Sequence, residues 1–119
     1  MSYLKLRMGE AKIKNFLINS KLYFDLLNEQ NLEKLKKLYH SNVELSDWNG
    51  SWTGIENVLD VNKGLFGSNL KFELESSNQI DNITYNHILI DTNKEKIKVL
   101  DVIYWNYDFK ITKIEAFKG

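Results

Sequence analysis

The 119-residue chain contains no cysteine. This excludes a disulfide framework, a thiolate zinc site and a cysteine nucleophile, and it leaves the redox compartment unread. Net charge is also missing, since 16 basic residues balance 16 acidic ones. No global field therefore favours nucleic acid or an anionic membrane as a partner. The only arginine is Arg7, and the only histidines are His40 and His87. Neither a second histidine nor a carboxylate stands at ligand spacing from His87, so no metal is expected. A glycine-rich phosphate loop is absent, and no cofactor is expected. No apolar run approaches the ~20 residues that span a bilayer. The opening MSYLKLRMGE lacks the apolar stretch of a signal peptide, so the expected location is cytoplasmic.

What is present suits one globular domain. Hydrophobic residues make up 43% and charged residues 27%, the balance of a soluble protein with a single core. Residues 1–9 show no period and read as a loose tail, leaving a domain over 10–119. From about Ala11, Ile13, Phe16, Leu17, Phe24 and Leu27 form one helical stripe, with Tyr23 at its flank. Asn31 is a suitable N-cap for a second helix, which carries Leu32, Leu35, Leu38 and Tyr39 on one face and ends near residues 40–42. The strand VELSDW follows, then an Asn49-Gly50 turn. Thr53 and Glu56 have capping-box spacing ahead of a third helix, in which Ile55, Val58, Leu59, Asn62, Leu65 and Phe66 recur. After Gly67 the period falls to two, and four strands follow, the last from about Ile111 to Phe117. Helices first and strands last argue an α+β fold, with the helices covering one face of a curved, mainly antiparallel sheet.

Two carboxylates break the pattern. In VELSDW, Asp47 falls in phase with Val43 and Leu45 on the apolar side. Asp101 lies between Val99 and Ile103, in phase with Ile97 and Trp105. A single inward aspartate is ordinarily a strand-end residue bonded to backbone or water, because buried charge is costly unless paired. Two of them mark a candidate site, since desolvation raises both pKa values. The other face of the same strand, Leu100, Val102 and Tyr104, is apolar as well. A sheet covered on one side should be polar there, so a homodimer through this outer face is expected.

The stretches YFDLLNEQNLEKLKKLYHSNVELSDWNGSWTGIENV and LDVIYWNYDFKITKIEAFKG resemble the nuclear transport factor 2-like, or SnoaL-like, superfamily. The nearest pattern is that of ketosteroid isomerase, and the resemblance runs from about residue 12 to Gly119. It implies a cone of three helices on a curved sheet. It places Tyr23 on the oxyanion-hole tyrosine, Asp47 on the general base, and Asp101 on the second oxyanion donor, an aspartic acid held protonated. The chain departs from the family at Trp48, where a proline or small residue is usual, which narrows the mouth. It departs again at Asn106-Tyr107-Asp108-Phe109-Lys110, a hairpin without the usual glycine. The epoxide hydrolase branch needs an arginine bridging two aspartates, and the dehydratase branch needs two pocket histidines. Neither set is present.

Further ligand contacts are expected from Trp52, Phe66, His87 and Trp105. Aromatics that fill the cone and a strand histidine with a purely structural role are the competing readings. Trp48, out of phase with Asp47, is expected on the outer face or at the dimer contact. Two functions stand side by side. One is an isomerase, cyclase or dehydratase that abstracts a proton next to a carbonyl in a small apolar substrate. The other is a non-catalytic ligand-binding or dimeric interaction module on the same fold.

Overall fold

A computed structural model describes residues 14–119. The expected tail, and Ala11 and Ile13 of the first stripe, lie outside the described residues. Helix α1 spans Leu17–Glu29 and α2 spans Leu32–Leu38. Gln30 between them is left-handed at φ 56°, ψ 39°, and its N–H and that of Asn31 close onto Leu27 and Leu26. Asn31 is the N-cap of α2, its Oδ1 accepting from the Lys34 N–H at 3.1 Å. Seven residues cannot hold a helix alone, so α2 depends on burying Leu35.

The remaining elements are β1 (Tyr39–Asp47), β2 (Gly50–Thr53), α3 (Ile55–Phe66), β3 (Lys71–Ile80), β4 (Ile83–Asp91), β5 (Lys96–Trp105) and β6 (Ile111–Lys118). They form one six-stranded sheet in the order β2-β1-β6-β5-β4-β3. Among the described residues only the β1–β6 pair is parallel. The class is α+β, with the three described helices on an open, mixed sheet.

Three local expectations change. The second helix stops at Leu38, and Tyr39 opens β1 instead of closing the helix. Tyr39 keeps its inward side chain because the helical stripe and the strand's inner face meet at that residue. The stretch after the Asn49-Gly50 turn is a strand that pairs antiparallel with β1, Leu45 opposite Trp52. Thr53 is consequently held in that ladder opposite Glu44 and does not cap α3. The cap is Gly54 at φ 93°, a conformation that favours glycine, and its N–H bonds to the Val43 carbonyl at 2.8 Å. The hairpin without glycine closes differently too. Phe109 takes the left-handed position at φ 60°, and the Asn106 carboxamide accepts from the N–H groups of Asp108 and Lys110 at 2.9 and 3.0 Å.

The narrow end of the cone is solid. Phe16 stacks on Trp105 with ring centroids 5.7 Å apart. Beneath them the Thr84 hydroxyl meets Ser20 Oγ at 2.7 Å and accepts from Trp105 Nε1 at 3.1 Å. One of the two sheet edges, β3, is tied to α1 and the residues just before it by side-chain amides. Asn28 Oδ1 accepts from the Phe72 N–H and its Nδ2 donates to the Phe72 carbonyl, both at 2.7 Å. Gln79 does the same at the other end of the strand, with the Phe16 N–H and the Lys14 carbonyl at 2.7 Å each. These pairs replace the ladder that an edge strand lacks. Asn28→Ala should therefore cost about 1–3 kcal/mol in urea unfolding, by stranding two partly buried backbone groups. An unchanged midpoint would show that water replaces the amide at no cost.

Candidate functional site

The inner face of β5 presents Ile97, Val99, Asp101, Ile103 and Trp105 in alternation. Ile103 and Trp105 are fully buried in the packed end. Ile97 and Val99 line a cavity of about 230 Å³. Asp101 stands between the two, where packing stops and empty space begins. A dry cavity of ~150 Å³ takes up benzene, so this one has room for a somewhat larger molecule.

Apolar side chains dominate the walls, among them Leu27 from α1, Leu45 from β1, Leu65 from α3, Phe72 from β3 and Ile88 from β4. The polar residues in the wall are Tyr23, Asp47, Asn49, Asn62, Thr92 and Asp101. Tyr23 arrives from the buried face of α1, and Asp47 from the last position of β1. The three residues singled out from the pattern thus line one cavity.

Asp101 is 8% exposed. Its backbone carbonyl accepts from Asn86 Nδ2 at 3.0 Å, which fixes the strand at that point. Beyond the sheet ladder, the hydrogen bond made by Asp101 among the described residues is this one through its backbone, and none is made by its carboxyl. Burial, and then the nearby Asp47 carboxylate, push its pKa from 3.8 up to about 7. Asp47 is half-buried at the end of its strand, and its Oδ1 accepts from the Asn49 N–H at 2.6 Å. Burial raises the Tyr23 hydroxyl well above its ordinary pKa, with Tyr39 and Asp101 adding to the effect. The hydroxyl remains a proton donor throughout the physiological range.

Two further polar groups support this set. Tyr39 Oη donates to Asn62 Oδ1 at 2.7 Å, both side chains being buried. A signal for both was present in the sequence. Asn62 is the one polar residue in the apolar stripe of α3, and Tyr39 follows the stripe of α2. The other expected ligand contacts lie away from the cavity wall. Trp105 is spent on Phe16 in the packed end. His87 is exposed, opposite Leu100 on the outer face. Phe66 and Trp52 are half-buried and pack against the core, Trp52 facing a shallow groove with Glu44 and Lys113. Trp48, expected on the outer face, lines the cavity as well as the groove beside Phe117 and Lys118. It is 44% exposed, with Lys118 Nζ 5.8 Å from its ring.

The architecture is the nuclear transport factor 2-like, SnoaL-like fold. Solved structures agree on the architecture. A SnoaL-like protein of unknown function from Burkholderia thailandensis superposes with a TM-score of 0.79 at 18% identity, over 90% of this chain and 98% of the other. A putative ketosteroid isomerase from Kribbella flavida gives 0.77 at 15% identity, over 84% and 74% of the two chains. The epoxide hydrolase/cyclase-like enzyme SalBIII of pyran-ring formation in salinomycin gives 0.76 at 15% identity, over 84% and 87%. At such identities the likeness is one of fold. No family model and no curated protein matches the chain. No described helix is long and apolar enough to cross a membrane.

The raised pKa of Asp101 has a consequence for stability. The folded state holds its proton between about pH 4 and pH 7, where the unfolded chain has released it. Stability from this group is therefore fully present below pH 4 and lost as pH rises through 7. Asp101→Asn should leave the melting temperature unchanged near pH 4 and raise it at pH 8. The gain at pH 8 is at most of the order of 4 kcal/mol, at ~1.4 kcal/mol per pKa unit. Equal melting shifts at both pH values would contradict a protonated, desolvated Asp101.

Proposed function

We propose that the cavity binds a small, largely apolar carbonyl compound and that Asp47 abstracts a proton next to the carbonyl. Tyr23 and the neutral Asp101 donate hydrogen bonds to the oxygen as enolate charge develops on it. The reading is carried by one observation. Two carboxyls share an apolar cavity, and the deeper one is buried without a partner while the shallower sits at the rim. Environments that push two acids apart assign one as donor and the other as base. Tyr23 supports the same assignment, because it lines the same cavity and burial keeps its hydroxyl protonated.

The test needs no knowledge of the physiological substrate. A panel of cyclic ketones is incubated with the protein in D2O, and loss of the α-proton signals is followed by NMR. Exchange above the buffer rate is expected for at least one ketone. Asp47→Asn should lower that rate at least a hundredfold, the range of general-base contributions. Wild-type exchange in Asp47→Asn would sink the mechanism. Ketone binding without exchange would favour the module that binds and does not react.

We further propose a homodimer through the outer face. Tyr85, Val102 and Glu115 lie side by side across β4, β5 and β6, as do His87, Leu100 and Phe117. Phe117 is 54% exposed in a single chain. Light scattering after size exclusion should return about twice the 14.0 kDa chain mass at micromolar concentration. A monomer would remove the proposal.

A further inference from the structure

Asn62 is fully buried in the apolar stripe of α3 and forms part of the cavity wall. Its amide is half used. Oδ1 accepts the Tyr39 hydroxyl at 2.7 Å, and Nδ2 is fully buried without a hydrogen-bond partner among the described residues. Leaving a buried donor unpaired is costly, and nearly all such groups in folded proteins find an acceptor. Helix packing gives no reason for it, since a leucine here would continue the stripe of Val58, Leu59 and Leu65. Tyr39 explains the orientation. A phenol has one hydrogen to give, and giving it to Oδ1 leaves Nδ2 as the free end.

We propose that Asn62 Nδ2 is a ligand-reading donor, and that the cavity selects compounds carrying a second acceptor oxygen besides the one held by Tyr23 and Asp101. The inference rests on the carbonyl-binding reading above and sharpens it to ligands with two acceptors set in one apolar frame. Tyr39 acts as a positioning residue, fixing which end of the amide is offered. Apolar side chains dominate the remaining walls, so a second oxygen set against them without this donor would enter unpaired and at a cost.

Two probes separate the cases: 2,2-dimethylcyclohexanone and 2,2-dimethylcyclohexane-1,3-dione. The carbon between the carbonyls of the dione carries no hydrogen, so both probes stay uncharged and differ in the second acceptor. In NMR titrations of the wild type the dione should bind about tenfold tighter, the worth of one hydrogen bond kept from water. The Asn62 side-chain amide resonances should move with the dione and much less with the ketone. Asn62→Leu, similar in size, should abolish the preference, lowering dione affinity about tenfold relative to the ketone. A preference retained in Asn62→Leu, or amide resonances unmoved at saturating dione, would overturn this inference and leave the carbonyl pocket standing. If neither probe binds the wild type, the carbonyl reading fails and this one falls with it. Should Asn62→Leu not fold, the wild-type amide resonances decide the matter alone.

Discussion

The architecture turns on the desolvation of one carboxyl. Asp101 occupies the place in β5 where an apolar residue would let the core continue, and nothing among the described side chains bonds to it. An ionised group in that position would be strongly destabilising, so its proton is retained to about pH 7. The backbone around it is pinned from behind. Asn86 bonds to the Asp101 carbonyl and is itself held by Ser77 at 2.8 Å. Thr84, Ser20 and Trp105 lock the adjoining packed end. The strand can therefore present an unfavourable side chain without yielding to it.

The cone divides its aromatic residues accordingly. Phe16, Trp105 and Phe109 crowd together at the closed end, and Tyr23 and Tyr39 turn their hydroxyls toward polar partners or the cavity. Trp48 remains at the mouth, next to the residue assigned as base and touching both cavity and outer groove. Its place follows from β2. The short return strand turns the chain at residues 48–49 and lifts the indole out of the register that VELSDW sets.

Much of this was legible in the sequence because it depends on periodicity. The alternation in β5 marks Asp101 as inward, and the register of VELSDW does the same for Asp47. The resemblance to ketosteroid isomerase then joins them to Tyr23, and the described cavity includes all three. What escaped depends on pairing between distant segments. β2 has only four residues and is made a strand by β1. Thr53 carries a capping signature, but the ladder claims it first. Trp52, Phe66, His87 and Trp105 stand out by residue type alone, and type does not say whether a ring faces the packed end, the outer face or the cavity. Asn62 and Tyr39 gave a periodic signal of their own, a polar group in an apolar stripe, of the same kind that exposed the two aspartates.

The central claim is that Asp101 keeps its proton up to about pH 7 and donates it in a hydrogen bond. The most direct measurement is an NMR titration of its side-chain carboxyl carbon in labelled protein. The account predicts a midpoint near pH 7, and one that falls when Asp47 is replaced by asparagine. A midpoint near 4 would mean that water or an ion solvates the group, and the donor role would be contradicted.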